Sequence, residues 1–471
     1  MNAAIADHAA ARPGQILAMQ REAYQRDGAP GLVQRLAALQ ALDMLVRGER
    51  DALAAAISAD FGNRATQETM LAEVVPILAA IRNTRRKLPG WMRPERRHVG
   101  INAMPGRAWV QHQPLGCVGI VSPWNYPLFL TLGPLVDAIG AGNRVLVKPS
   151  ELTPRFASLL AALIEKAIDP AQVCVVTGGP AVAQAMCALP FDHLVFTGST
   201  DVGRKVMQAA ALNLVPVTLE LGGKSPAVVC RDYDIAKAAK TIAVAKFFNA
   251  GQTCIAPDYA LVPADQAESF AQAVLAQART MFPVQAGNPD ATSIISDRHY
   301  ARLQALLVDA EAQGARVMRL VDAPQERKMA PVVVLDPPLD SPLMREEIFG
   351  PILPVIGYGE LAEAIKFINA RPRPLALYPF THDAEKQAAL LWRTMSGGVS
   401  VNSALLHCIQ DDLPFGGVGP SGMGAYHGHD GFRRLSHARG VYKAGRISGF
   451  TFLAPPYGPK MRIALRAMLA R

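Results

Sequence analysis

Cys254 is the residue of this chain best placed for covalent chemistry. It lies in FFNAGQTCIAPDY, residues 247–259, on a polar loop with Gly251 three positions before it and Pro257 three after. An apolar helical pattern from Ile235 to Asn249 leads into the loop, and a strand-like run from Tyr259 to Val262 leaves it. A thiol at such a joint can face both solvent and a neighbouring cleft. Cys174 and Cys230, by contrast, sit inside apolar runs and read as structural. Glu220 comes 34 positions earlier (254 − 220), between the strand-like PVTLEL and the glycine pair of LELGGKSP, residues 219–226. Ionised carboxylates are rarely buried without a partner, so a glutamate in that apolar setting is unusual. A cysteine nucleophile with a poised carboxylate is a catalytic pairing.

These groups need elements to hold them. Residues 32–57 and 70–88 carry apolar residues at helical spacing. From residue 115 the texture alternates. LGCVGIVS, RVLVKP, QVCVVTG and DHLVFTG read as strands, separated by helical patterns at 131–141, 153–167, 181–188 and 201–212. After Glu220 strands recur near 226–230, 258–262, 331–335, 375–380 and 398–402. Such alternation predicts βαβ units, hence two α/β domains with parallel sheets covered on both faces. Residues 94–114 break the pattern with two polar-alternating runs around Pro105-Gly106, which predicts a hairpin.

Composition narrows the possibilities. With 471 residues, half of them hydrophobic, a large core can form. No run of 18 uncharged apolar residues is present, so no integral membrane segment is expected. The N-terminus lacks the charged-then-apolar order of a signal peptide. Six cysteines in so long a chain do not form a disulfide framework, and a reduced, cytoplasmic protein fits. The net charge of +9 raises the question of an acidic partner, but the arginine cluster at 85–97 comes without a nucleic-acid-binding signature. A basic soluble enzyme with no nucleic-acid partner is the simpler reading. The tail from 460 to 471 is basic and a candidate amphipathic helix, too short and too charged to span a bilayer, while YGPKMR at 457–462 reads as loop.

Further motifs accompany the two catalytic segments: PWNYP (123–127), KPSE (148–151), FTGSTDVG (196–203), EEIFGP (346–351) and PFGGVGPSGMGAYHG (414–428). Together, and in this order, they resemble the aldehyde dehydrogenase superfamily. The last motif and TQETMLAEVVPILAAIRNTRRKL are most similar to its class 3 branch, and within that to coniferyl aldehyde dehydrogenases. The resemblance implies a Rossmann-like cofactor-binding domain (1–95 and 114–219), an α/β catalytic domain (220–420), a β oligomerisation arm (96–113 with 437–453) and a C-terminal tail (454–471). It implies a homodimer, a small aldehyde substrate, NAD as cofactor with NADP possible, and no metal.

Each site residue has an ordinary reading beside the implied one. In FTGSTDVG, Gly198 and Gly203 are five apart, which is not the dinucleotide fingerprint, and Ser199 or Thr200 could simply cap a helix. The resemblance makes Ser199 a pyrophosphate contact at that helix start. Lys148 and Glu151 read alone as a solvated pair. The resemblance puts them on the adenosine ribose, where a carboxylate favours NAD by repelling a 2′-phosphate. Glu347 is implied for the nicotinamide ribose, with Trp124 and Phe349 beside the cofactor, although Phe349 could be core. Asn125 would be a turn residue by itself. By resemblance its amide, with the Cys254 N–H, stabilises the oxyanion of a thiohemiacetal formed on Cys254. Hydride departs to the cofactor, and Glu220 activates the water that hydrolyses the thioester. Tyr126, Leu128, Phe129 and Leu132 follow Asn125, and those facing the cleft would give an apolar substrate pocket.

Three other readings compete. A cysteine hydrolase would need a histidine base, and none of the ten histidines forms a recognisable Cys–His pattern. A CoA-acylating enzyme would not need the Glu220-type base. A non-catalytic cofactor-binding scaffold is disfavoured by the joint presence of Cys254, Glu220 and Asn125. One departure stands out: Ser403 occupies a position where class 3 enzymes often carry aspartate, expected near the substrate side.

Overall fold

The computed structural model describes residues 2–100, 103–284, 287–320, 327–446 and 454–469, with backbone alone for 2–10. Two twisted α/β sheets form its centre. One has six strands in the order Gly422–Met423, Val217–Glu220, His193–Thr197, Cys117–Val121, Arg144–Lys148, Val173–Val175. The other has seven, in the order Arg316–Arg319, Val332–Leu335, Ile352–Tyr358, Tyr259–Pro263, Pro226–Val229, Ala376–Phe380, Gly398–Val399. Each sheet is parallel except for one antiparallel edge strand, Gly422–Met423 in the first and Arg316–Arg319 in the second. The inner strands are apolar run after apolar run, as burial on both faces requires.

The expected strands and helices appear within a few residues of their predicted ends. The helices Phe129–Ala141, Pro154–Ala167, Pro180–Cys187 and Thr200–Ala211 separate the strands of the first sheet. Two starts are set by local chemistry: Pro154 takes the first helical position, where its missing N–H costs nothing, and Ser199 caps the last of the four. The first predicted helix runs on to Phe61. The second is longer than its periodicity indicated, because a π turn at Met70–Val74 interrupts the phase between Thr66–Thr69 and Val75–Trp91. A further helix, Asn2–Asp27, went unread in the sequence. Its Gln20 donates to Val145 O at 3.0 Å, tying it to the first sheet.

The hairpin forms as Glu95–Arg97 against Arg107–Pro114, and Ser436–Lys443 pairs along the other side of the longer strand. Residues 447–453, part of the predicted arm, lie outside the described residues. At the C-terminus the expectation of loop needs correction: Pro459 opens a helix to Leu469, so Pro459–Arg462 are helical, with proline again at a helix start.

Candidate active site

Cys254 sits where the chain leaves the helix Ile235–Phe247 through a strained turn. Asn249, Ala250 and Gly251 all have positive φ, at 51°, 51° and 72°. Gly251 is required there: a Cβ would lie 2.3 Å from Gly350 O. Asn249 is held instead by hydrogen bonds. Its N–H donates to the buried Glu68 carboxylate, and its Nδ2 donates to Asn125 O at 3.0 Å and Gln252 O at 3.1 Å. Thr253 then starts a turn closed by Ala256 N–H to Thr253 O at 3.0 Å, which lifts Cys254 out at the meeting point of two cavities.

The first cavity, about 220 Å³, is lined on one side of the thiol by Trp124, Asn125, Gly198, Ser199, Glu220, Glu347 and Phe349. Asn125 Nδ2 donates to Gln252 O at 3.2 Å, leaving its second N–H for another acceptor. Glu220 ends its strand with its main chain fixed on both sides. Gly422 pairs with it on one side, and Gly198 N–H donates to its carbonyl at 3.0 Å on the other. Its carboxylate is fully buried beside the Cys254 thiol, which is its hydrogen-bonding neighbour, and burial pushes it up to about 8. Burial first, and then the neighbouring Glu220 and Glu347 charges, raise the Cys254 thiol well above its ordinary value. The enclosed thiol is therefore protonated at rest.

Glu347 is also pushed up to about 8, by burial first. Its Oε1 is buried without a partner, and its other oxygen fits against Gly222, where a Cβ would come within 1.9 Å. An orphaned carboxyl oxygen in a cleft, with a helix N-terminus opposite at Ser199, suits a ligand carrying hydroxyls and an anionic group. A nicotinamide dinucleotide meets both requirements. Trp124 and Phe349 meet edge to face at 5.4 Å and form an aromatic wall of the same cavity.

Three of the expected cofactor residues stand apart. Lys148 donates to Glu151 at 2.9 Å, and both lie at the end of strand Arg144–Lys148, outside the cavity lining. Gly203 is inside the helix Thr200–Ala211, packed on Leu221.

The second cavity, about 170 Å³, opens on the other side of Cys254. Tyr126 and Phe129 line it, with Leu130, Phe248, Ile255 and Phe415. Leu128 and Leu132 do not: both point into the core. Ser403 is likewise absent from the wall, which is built by Leu405, Leu406, Cys408 and Ile409 from the following turn. His427 also lines it. Stacked on Phe415 at 5.2 Å, it is kept neutral down to about 4 by burial. Tyr126 donates to or accepts from Thr253 Oγ1 at 2.6 Å, which ties this wall to the cysteine loop.

Beneath the site lies a buried polar network that the sequence did not reveal. Arg64 Nη1 bridges Glu73 Oε1 at 2.8 Å and Asn125 O at 3.2 Å, with both charged side chains fully buried. The other Glu73 oxygen accepts from Leu128 N and Phe129 N at 2.7 and 3.1 Å, capping the helix that follows Asn125. Gln252 Nε2 and Oε1 hold Ser293 O and Ile295 N at 3.1 and 2.9 Å. Asn125 and Cys254 are thus set by one continuous scaffold. Glu68 precedes the π turn and Glu73 lies within it; the wider turn brings side chains five apart into line. Two glutamates five apart in TQETMLAEVV, the second inside the apolar run MLAEVV, were the available signal.

The sequence model of the aldehyde dehydrogenase family matches residues 3–441. The chain belongs to that family. It is an NAD(P)-dependent aldehyde dehydrogenase. It is 47% identical to the probable coniferyl aldehyde dehydrogenase of Pseudomonas aeruginosa, over 97% of this chain and 96% of that one. It is 43% identical to the coniferyl aldehyde dehydrogenase of a Pseudomonas species, with the same coverage. The solved structure of the substrate-bound Staphylococcus aureus AldH matches with a TM-score of 0.92 and 34% identity, covering 97% of this aldehyde dehydrogenase and 99% of the other. Among its described residues no helix is long and apolar enough to cross a membrane, and no cluster of three or more His, Cys, Asp or Glu converges to hold a metal.

Proposed function

We propose that this enzyme oxidises bulky apolar aldehydes, aromatic and coniferaldehyde-like, to carboxylic acids through a covalent adduct on Cys254. The observation that carries the proposal is the position of that thiol between a cavity with polar anchors and an apolar one. The aldehyde enters the apolar cavity, Cys254 gives up its proton to water in the cleft, and the thiolate attacks the carbonyl carbon. The oxygen, now an anion, meets the free N–H of Asn125 and the Cys254 backbone N–H. A nicotinamide cofactor would supply the hydride acceptor as the carbonyl reforms; Glu347, Ser199, Trp124 and Phe349 would hold it, with Lys148 and Glu151 further along the sheet edge. A thioester remains. Glu220, beside the thiol and lining the same space, takes a proton from water as it attacks the thioester; the carbon–sulfur bond breaks, releasing the carboxylic acid and free Cys254.

Side-chain burial supports the substrate class. Each methylene or ring carbon shed from water into the Tyr126–Phe129–Leu130–Phe415 wall gains roughly 0.8 kcal/mol. The relatives named for coniferyl aldehyde point the same way. The deciding measurement is kcat/KM for coniferaldehyde, benzaldehyde, octanal and acetaldehyde, with NAD and with NADP. Acetaldehyde matching the larger substrates would overturn the assignment.

We infer also a cytoplasmic homodimer joined through the three-stranded sheet. Its outer strand Ser436–Lys443 pairs only with Arg107–Pro114 among the described residues, which leaves a long exposed edge for a second copy. Light scattering tests this, and a monomer would refute it.

A further inference from the structure

Lys224 stands four residues beyond Glu220 (224 − 220) and Asp258 four beyond Cys254 (258 − 254). Neither lines a cavity, yet both side chains are buried and form an ion pair with each other. Each also grips the loop that carries Glu347. Lys224 Nζ donates to Leu343 O and to Glu346 O, both at 2.8 Å. Asp258 Oδ1 accepts from Ile348 N at 3.0 Å. The main chain is therefore held immediately before and immediately after Glu347. The loop needs holding, because Phe349 has a positive φ of 52°, a strained value for an aromatic residue. Lys246, fully buried with no hydrogen bond, stands 3.9 Å from Asp258 Oδ1 and adds positive charge behind the carboxylate.

We propose that the Lys224–Asp258 pair positions Glu347 and Phe349 for the cofactor, and ties their loop to the two segments that carry Glu220 and Cys254. Lys224 and Asp258 are positioning residues that touch no reactant. The proposal rests on the reading that the Glu347 cavity takes NAD or NADP. If it is right, losing the clasp loosens the cofactor's anchor while leaving the thiol and its base in place. A purely structural pair would instead damage everything at once, since removing one partner strands a buried charge.

The experiment uses the full-length enzyme and three variants, Lys224→Met, Lys224→Arg and Asp258→Asn. NAD affinity is measured by calorimetry. Hydrolysis of 4-nitrophenyl acetate, which needs Cys254 and water but no hydride acceptor, is measured on the same samples. Lys224→Met and Asp258→Asn are expected to weaken NAD binding by about 10- to 100-fold, the range for losing hydrogen bonds to a charged group. Ester hydrolysis should fall less than about threefold, well under one hydrogen bond's worth. Lys224→Arg keeps the charge and should recover most of the affinity. It also keeps the test alive should either neutralising variant not fold. Unchanged NAD affinity in a folded Lys224→Met or Asp258→Asn variant overturns the proposal, as does parallel loss of binding and ester hydrolysis. Failure of the wild type to bind NAD or NADP would instead sink the reading of the cavity.

Discussion

Replacing Glu220 by glutamine keeps the side chain's shape and removes its basicity. Burial holds the Glu220 carboxyl up to about 8. At pH 7 roughly one molecule in eleven then carries it ionised, and at pH 9 roughly ten in eleven. If thioester hydrolysis limits turnover, the wild-type rate climbs about tenfold over that interval. A positioned base contributes about 10²–10⁴ in rate, so the variant should lose that much at pH 9, about tenfold less at pH 7, and the pH rise itself. The acylation half-reaction should respond in the opposite sense. The Glu220 charge is one cause of the raised Cys254 thiol, and a neutral amide removes it. First-turnover hydride transfer should therefore be as fast as wild type or faster. Stopped-flow absorbance of the reduced cofactor reads both phases: a burst of one equivalent per Cys254, then a slow steady state. Burst and steady-state rates that fall by the same factor, with the pH rise intact, would refute the base role and make Glu220 a tuner of the thiol.

Cys254→Ala should abolish aldehyde oxidation and ester hydrolysis while NAD still binds; dehydrogenase turnover surviving in that variant removes the nucleophile from the scheme. Asn125→Ala should lower kcat by about 10²–10³, the cost of one oxyanion donor, with KM little changed. A raised KM at constant kcat would reduce Asn125 to a wall of the pocket.

Much of the fold was legible because it is written in short-range patterns. Short apolar runs such as VLV at 145–147 and LVF at 194–196, set between helical patterns, read as doubly covered strands, and the Pro-Gly at 105–106 marks a hairpin. The proposed pair, Cys254 and Glu220, stood out for a related reason: a thiol on a polar loop and a carboxylate ending an apolar strand each break their local pattern. The supports beneath them did not. Arg64 reaches Asn125 across 61 positions and Glu68 reaches Asn249 across 181, distances at which no periodicity carries information. The π turn also shifted the phase by which a buried helix face would be read. For the same reason Leu128 and Leu132 could not be told from Leu130 as wall residues. Their difference is which way one helix faces, and that was set by Glu73 capping it from another part of the chain.

The thiol's place between two cavities governs traffic as well as chemistry. On the proposed assignment of the cavities, aldehyde and dinucleotide arrive from opposite sides of Cys254 and share only its immediate surroundings, Leu130 included. Neither has to leave for the other to enter, and the carboxylic acid can retreat along its precursor's path while the spent cofactor is still in place. Product inhibition by the acid should then compete with aldehyde and not with NAD. A blocker built on an apolar ring need fill one arm alone to silence the nucleophile.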